Sequence, residues 1–256
     1  MKPNTLVIGY GTVGHNLAEE LKVLSPDIFD KFKPEVNTRR NDVIYDIAFI
    51  CVDTPKSKNS LCDISEVMNA IQENNADVYV IKSTVLPGTT GSISELTGKR
   101  IVFSPEYYGG TQHCNNFYFD FTVLGGETAY CKHVSQILQL VYDARHRFYF
   151  VNAKTAELAK YMENSYLAMK VSFCVQFYNI AEQIGVDYEQ LREIFIADPR
   201  INPSHTFVYA DTPYWQSHCL DKDVRAIAET YNADFLNAVI RYNEGCKTTA
   251  QKAKNH

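Results

Sequence analysis

The chain has 256 residues, of which 45% are hydrophobic and 21% are charged, and its formal net charge is −5. This composition is typical of a folded globular protein with one large core or two modest ones, and it excludes a disordered chain. The acidic balance argues against a nucleic-acid-binding surface, because such a surface carries a basic excess.

The first part of the chain alternates strand and helix patterns. Apolar runs predict strands at 5–8, 28–29, 46–52, 78–81, 100–103, 121–124 and 148–151, and helical spacing predicts helices at 13–24, 64–71 and 130–141. Such alternation is typical of right-handed crossovers between parallel strands that are covered on both faces. We therefore predict an α/β unit over residues 1–151, with a doubly wound, Rossmann-like parallel sheet.

A different pattern begins near Asn152. Residues 153–184 keep helical spacing without proline or glycine, and Gly185 follows where a left-handed cap is favoured. A helix of about 30 residues would span about 45 Å, which exceeds the width of a small domain. We predict a second, helical unit over 152–256 built on this central helix, with further helices at 188–197 and 222–244 and a frayed tail from 248.

The sequence shows no export signal and no transmembrane pattern. The apolar stretch Thr5–Ile8 is too short for a signal-peptide core, and no apolar run approaches the ~18 residues of a transmembrane helix. The seven cysteines are odd in number and scattered, which favours thiols in a reducing compartment over disulfides. We expect a cytoplasmic protein with no membrane partner, and the histidine and cysteine spacings give no support for a metal site.

A glycine-rich turn follows the first predicted strand, where residues 9–14 read GYGTVG. In this position the glycines permit a tight turn, the approach of a pyrophosphate and close helix–strand packing, although glycine turns of this kind also occur without a ligand. Asp30 lies 21 residues after Gly9, where a carboxylate accepts ribose hydroxyls and repels a 2′-phosphate. The pair predicts NAD as cofactor. The predicted NAD contacts are Gly9, Tyr10, Gly11, Thr12, Val13, Gly14 and Asp30.

Short segments in a fixed order carry a family resemblance along most of the chain. They are GYGTVG at 9–14, FICVDTP at 49–55, IKSTVLPGTT at 81–90, SPEYYGG at 104–110, FTVLGGE at 121–127, TAELAKYMENSYLAMKVSF at 155–173, DPRIN at 198–202 and CLDKD at 219–223. With them the chain resembles the UDP-glucose/GDP-mannose 6-dehydrogenase family. The resemblance implies an enzyme that oxidises the primary alcohol of a UDP-glucose-like sugar nucleotide to the carboxylate, using two NAD molecules and a cysteine thioester.

The resemblance also implies catalytic roles. Cys219 matches the family's nucleophile, and Lys222 and Asp223 follow it at the start of a predicted helix, where the helix terminus and a cation favour the thiolate. Lys160 and Asn164 are four residues apart and share one helix face with Glu157. They match the pair that stabilises the oxyanion and holds a water. On the residues alone, a structural thiol and a solvated charged stripe remain as alternatives.

Further positions match the family around the cofactor and the substrate. Glu106 matches the base of thioester hydrolysis, and Thr84 matches a threonine that contacts cofactor and water. Thr54 and Pro55 match the residues behind the nicotinamide. Arg200 matches an arginine that reaches the substrate, often across a subunit boundary, and Lys222 is a second substrate candidate.

Three departures from the family pattern leave alternatives open. The family's second nucleotide-binding domain would lie beyond the last predicted helix, so the chain reads as a short form that lacks it. The glycines before the catalytic cysteine are replaced by the run Trp215–His218, which predicts a different sugar subsite, and Gly110 replaces a second acid. The alternatives are an inactive cofactor-binding remnant, or a hydroxyacid or 6-phosphogluconate-type dehydrogenase that needs no cysteine.

The central helix also predicts an assembly. Apolar side chains occur on both of its faces, which is more than a chain of this length covers easily. They are Leu158, Tyr161, Leu167, Val171, Phe173 and Phe177. We therefore expect a homodimer built on this helix.

Overall fold

The computed structural model describes residues 2–56, 62–109 and 119–254. By contacts between residues, the described chain divides into two compact units. The first takes the residues up to Tyr108 and those from Phe119 to Lys160, and the second takes Gly109 and those from Tyr161 onward. The division falls inside the long helix, and the functional boundary at residue 151 stays a prediction.

The first unit is built on a seven-stranded sheet. Its strands are β1 (Thr5–Ile8), β2 (Asp27–Phe29), β3 (Tyr45–Ile50), β4 (Ala76–Ile81), β5 (Ile101–Phe103), β6 (Phe121–Gly125) and β7 (Arg147–Val151). They lie in the order β2-β1-β3-β4-β5-β6-β7. All neighbours pair in parallel except β5 and β6, which pair antiparallel through Phe103 and Gly125. The predicted Rossmann-like class is confirmed, with this one antiparallel pair added.

Alternating side chains of the central strands enter two separate cores. Val7 and Phe49 belong to one cluster of fully buried residues, whereas Leu6 and Ile50 belong to another. A strand points successive side chains to opposite faces, so both faces of the sheet are covered. Central strands buried in this way read as continuous apolar runs, and this is why the sequence predicted them.

Helices cover the sheet of the first unit. They are α1 (Thr12–Glu20), α2 (Ser65–Gln72), α3 (Thr89–Thr97) and α4 (Thr128–Leu138). The apolar spacing did not predict α3, because that helix buries only Thr90 and Ile93. Its first turn is held by the fully buried Glu157, which accepts the backbone N–H groups of Gly88 at 2.5 Å and Thr90 at 2.8 Å. A carboxylate at a helix N-terminus is stabilising.

The second unit is helical. The predicted central helix is confirmed as α5 (Ala153–Ile184), which begins in the first unit and ends in the second. Asp187 caps the N-terminus of α6 (Tyr188–Ile196) by accepting the backbone N–H of Glu189.

The single last helix predicted over 222–244 is wrong. Two helices lie there, α7 (His218–Tyr231) and α8 (Asp234–Lys254). Asn232 separates them in the left-handed conformation, with φ of 49°, which asparagine tolerates better than most residues. The expected frayed tail from 248 is helical up to Lys254.

Two general features concern the part of the chain that the structure describes. No helix there has both the length and the apolar character that crossing a bilayer demands. No group of three or more His, Cys, Asp or Glu side chains in those residues is arranged to hold a metal ion.

Candidate active site

The glycine-rich turn between β1 and α1 has the shape that a dinucleotide pyrophosphate needs. Gly9 has a φ of +87°, and a Cβ there would lie 2.8 Å from the carbonyl oxygen of Cys51. A Cβ on Gly14 would lie 1.8 Å from the carbonyl oxygen of Gly9, so only glycine lets α1 pack against the turn. Around Gly11 the space is open, as the close approach of a phosphate requires. The turn therefore fits the group that the sequence predicted.

Asp30, which follows β2, is bonded to the same turn. Its Oδ2 accepts the backbone N–H of Tyr10 at 2.7 Å, and its Oδ1 accepts that of Phe32 at 2.8 Å. Asp30 is buried and lines a cavity of about 330 Å³ together with Gly9, Gly11, Lys31 and Lys33. Each carboxylate oxygen can accept a second hydrogen bond, so the group fits the ribose hydroxyls of NAD.

Thr54 and Thr84 are bonded to each other just beyond the carboxyl ends of the neighbouring strands β3 and β4. The Thr54 hydroxyl donates to the carbonyl oxygen of Thr84 at 2.8 Å, and the Ser83 hydroxyl donates to that of Val52 at 2.6 Å. The predicted neighbour Pro55 is exposed. In open parallel sheets, ligands bind outside the carboxyl ends of the strands. These residues therefore lie at the end of the sheet where a cofactor is expected.

Glu106 and Lys160 form a buried ion pair in the first unit. The Lys160 Nζ lies 3.6 Å from Glu106 Oε1, and both side chains are less than a tenth exposed. Glu106 Oε2 accepts the backbone N–H of Tyr108 at 2.8 Å. The structure thus brings together the predicted base and one predicted oxyanion group, whereas Gly110, where the family carries a second acid, lies outside the described residues.

Lys82 supports this pair and was not assigned a role from the sequence. Its ammonium group donates to the Ser104 hydroxyl and to the Pro105 carbonyl oxygen, both at 3.2 Å, directly before Glu106. Burial lowers the pKa of Lys82, and the charge of Lys160 adds to that effect, whereas the charge of Glu106 raises it. Its position in the segment IKST, directly after a buried strand, was the signal that could have identified it.

Asp223 organises the predicted residues of the second unit. It is 1% exposed, and its Oδ2 accepts the side-chain amide of Asn164 at 2.7 Å. The Lys222 Nζ lies 2.6 Å from its Oδ1. One buried carboxylate therefore orients an amide from α5 and neutralises an ammonium from α7.

Cys219 is an exposed thiol in the first turn of α7. Ser217 caps this helix by accepting the backbone N–H of Leu220 at 2.9 Å. Backbone N–H groups and the helix dipole at such a terminus favour an anionic sulfur. Asp223 follows Cys219 by four residues, so both lie on one face of α7.

Trp215, the first residue of the run before Cys219, is packed inside the second unit. Trp215 is 3% exposed and donates its indole N–H to the Ser172 hydroxyl at 2.9 Å. Asn243 accepts the backbone N–H of Trp215 at 2.9 Å and donates to its carbonyl oxygen at 3.0 Å. The indole is therefore part of the core of the second unit and does not line an open sugar subsite.

Two other residues considered in the sequence have partners outside the groups described above. Arg200 is exposed and forms an ion pair with its near neighbour Asp198, with its Nε 3.0 Å from Asp198 Oδ1. Its contact with a substrate stays a prediction. Glu157, which the sequence placed on one stripe with Lys160 and Asn164, holds the N-terminus of α3.

The sheet order, the glycine turn and the acid after β2 define a Rossmann-type dinucleotide-binding protein with a helical second unit. Residues 17–145 match the model of the UDP-glucose/GDP-mannose dehydrogenase family's NAD binding domain, and residues 154–245 match that of its central domain. The chain belongs to the UDP-glucose/GDP-mannose dehydrogenase family, and its first unit is the family's NAD-binding domain.

Similar proteins agree with this assignment. A UDP-N-acetyl-D-mannosamine dehydrogenase of Methanococcus maripaludis is 27% identical over 92% of this chain and 60% of its own length. A GDP-mannose 6-dehydrogenase of Pseudomonas aeruginosa is 30% identical over 75% of this chain and 48% of its own. The solved structure of a UDP-D-ManNAc dehydrogenase from Pyrococcus horikoshii shares the fold, with a TM-score of 0.79, 23% identity and coverage of 97% of this chain and 70% of that one. The chain thus spans at most about 60% of the curated relatives named here.

Proposed function

We propose that the chain is an NAD-dependent sugar-nucleotide dehydrogenase, which oxidises the primary alcohol of a UDP-glucose-like substrate to the carboxylate. The observation that carries the proposal is the position of Asp223, which lies on the α7 face that carries Cys219, accepts the side-chain amide of Asn164 from α5 and pairs with Lys222. The names of the relatives include UDP- and GDP-linked sugars, and this supports a nucleotide-linked hexose as substrate. We propose UDP-glucose-like sugars first, with ManNAc and mannose derivatives as the other members of the class.

The proposed reaction removes two hydrides from one carbon, and two NAD molecules, bound in turn, would accept one hydride each. The first oxidation converts the alcohol to an aldehyde as the hydroxyl proton passes to water, and the Cys219 thiolate adds to the carbonyl carbon to give a thiohemiacetal. Lys160 and Asn164 donate hydrogen bonds to the oxygen that gains negative charge. The second oxidation gives a thioester, and holding the aldehyde on sulfur prevents its escape between the two steps.

Hydrolysis completes the proposed reaction. Glu106 takes a proton from a water molecule, which attacks the thioester carbon and releases the carboxylate and the Cys219 thiolate. The contact between Glu106 and Lys160 supports this step, because the Lys160 ammonium group lies 3.6 Å from Glu106 Oε1 and helps to hold the carboxylate in one orientation. We propose that Thr84 contacts cofactor and water, that Thr54 and Pro55 back the nicotinamide, and that Arg200 and Lys222 bind the substrate.

A screen of sugar nucleotides for NADH formation tests this function. We expect NADH from at least one UDP- or GDP-linked hexose with the wild type, and no acid from Cys219→Ala. Cys246→Ala is a matched control, because it removes another cysteine of the second unit that is only partly exposed. If Cys219→Ala keeps full turnover, the hydroxyacid-type reading replaces the proposal. If no sugar nucleotide gives NADH, the alternative of an inactive cofactor-binding remnant replaces the proposal.

We also propose that the protein is a cytoplasmic homodimer that pairs through α5. In the second unit this helix exposes large apolar residues at intervals of three, four or seven positions, which form one stripe. They are Met162, Tyr166, Phe173, Phe177, Ile180 and Ile184, with exposed fractions of 38% to 74%. Phe173 and Phe177 were predicted from the sequence, whereas the predicted Tyr161 is 1% exposed. A continuous apolar stripe of this length supports a second copy as its cover.

A further inference from the structure

One carboxylate of the first unit accepts two phenol hydroxyls from different parts of the chain. Glu20 is the last residue of α1. Its Oε1 accepts the hydroxyl of Tyr142, which follows α4, at 2.5 Å. Its Oε2 accepts the hydroxyl of Tyr108, which follows β5. Three segments that are distant in sequence are thus joined at Glu20.

Tyr108 also contacts the candidate base, Glu106. The backbone N–H of Tyr108 donates to Glu106 Oε2 at 2.8 Å, and the other carboxylate oxygen of Glu106 lies 3.6 Å from the Lys160 ammonium. A displacement of Tyr108 would therefore move one of the two groups that orient the Glu106 carboxylate. Glu20 controls that displacement, because it holds the far end of the Tyr108 side chain.

Packing and charge both favour the phenol hydroxyls as donors. Tyr108 and Tyr142 pack against one of the two sheet cores. Burial raises the pKa of each phenol, and the negative charge of Glu20 raises it further, so both keep their protons. Hydrogen bonds to an ionised acceptor are about twice as strong as neutral ones. A phenylalanine at position 108 would fill the same space without this bond.

We propose that Glu20, acting through Tyr108, is a positioning residue for Glu106 in thioester hydrolysis. The inference rests on the proposed function. Neither residue touches the reacting atoms in this account. Their effect is to hold Glu106 where it can take a proton from water, and catalytic groups lose efficiency when they are displaced by about 1 Å.

Three conservative variants test the inference by kinetics and mass. Tyr108→Phe removes the hydrogen bond between the Tyr108 hydroxyl and Glu20, and Glu20→Gln weakens it. Tyr142→Phe is the matched control, because it deletes the other phenol hydroxyl that donates to Glu20. We expect kcat to fall about tenfold in the first two, as for the loss of a hydrogen bond to a charged group. KM for NAD should not change, and a substrate-sized adduct should accumulate on Cys219. Tyr142→Phe should change kcat by less than about twofold.

Hydrogen exchange of the Tyr108 backbone amide gives a readout that needs no substrate. We expect this amide to exchange about tenfold faster in Tyr108→Phe and Glu20→Gln than in the wild type and Tyr142→Phe. Unchanged exchange overturns the positioning role, and so does faster exchange with unchanged kcat. If the wild type and Glu106→Gln form no NADH and no adduct, the proposed function itself fails. That failure can be told apart from a failure of the positioning role, because the exchange rates are measured without turnover.

Discussion

The side-chain amide of Asn164 donates to Asp223 Oδ2 at 2.7 Å, and this bond joins α5 to α7 within the second unit. Asp223 is almost fully buried and also holds the Lys222 ammonium. A buried carboxylate with two such partners fixes the direction in which the amide presents its remaining donor. The bond therefore explains how a flexible asparagine can be oriented before any substrate binds.

Asp223→Asn should destabilise the protein and lower turnover. The substitution leaves the mostly buried Lys222 ammonium without its anionic partner, and breaking one side of a buried pair costs about 2–4 kcal/mol. Urea unfolding monitored by circular dichroism measures this loss. Asp221→Asn is the control on the same helix, because Asp221 is about a third exposed and its loss should cost at most about 1 kcal/mol. Equal losses in the two variants would contradict the organising role of Asp223.

Asp30→Ser should reduce the preference for NAD over NADP. The variant loses the carboxylate that fits the ribose hydroxyls, and Lys31 and Lys33 of the same cavity can then approach a 2′-phosphate. We expect the ratio of the two affinities, measured by calorimetry, to fall by about tenfold or more. Glu73→Gln, which removes another acid from the cavity wall, should keep the wild-type ratio. Equal affinities of the parent protein for NAD and NADP would show that Asp30 does not select the cofactor.

The stability that Lys82 contributes should depend on pH. Burial lowers its folded-state pKa below the ordinary value of 10.5, so the folded protein binds fewer protons at this site than the unfolded chain. The free energy of unfolding should therefore rise as pH increases towards 10.5 in the wild type, relative to Lys82→Met. Lys132→Met, at an exposed position of α4, should show the wild-type slope. Parallel curves for the wild type and Lys82→Met as the pH rises to 10.5 would contradict this explanation.

Phe177→Asp should dissociate the proposed dimer. The substitution removes an apolar side chain from the stripe of α5 and leaves an unpaired carboxylate at the interface. Both effects should weaken association, together by about a hundredfold or more. Light scattering should give twice the 29.1 kDa chain mass for the wild type and the single mass for the variant. Leu96→Asp, at an exposed apolar position of α3, is the control and should remain dimeric. A wild type that scatters as a single chain at high concentration would rule the dimer out.

Much of the fold could be predicted because its signals are local. Buried strands such as β3 are continuous apolar runs, and α5 has no internal proline or glycine. In contrast, α3 has few apolar residues and depends on Glu157, which lies more than sixty positions away in the sequence. The break between α7 and α8 depends on the left-handed conformation of Asn232, which cannot be predicted from the helical spacing of apolar residues. Elements that rest on distant partners or on a single φ angle are therefore missed.

The candidate site shows the same limit. Cys219, Asp223, Glu106 and Lys160 could be identified from the sequence because each lies in a segment that matches a motif of the family, and the segments follow one another in the family's order. The sequence did not show that Trp215 belongs to the core, because its partners Ser172 on α5 and Asn243 on α8 are distant in the sequence.

The most direct test of the account is intact-mass spectrometry of Glu106→Gln after mixing with NAD and a sugar nucleotide that the wild type oxidises. This variant lacks the proposed base but keeps Cys219, so acylation should proceed and hydrolysis should stall. We expect a substrate-sized adduct on Cys219, two NADH formed for each adduct, and no adduct in Glu106→Gln combined with Cys219→Ser. Full release of acid by Glu106→Gln, or an adduct that persists without Cys219, would contradict it.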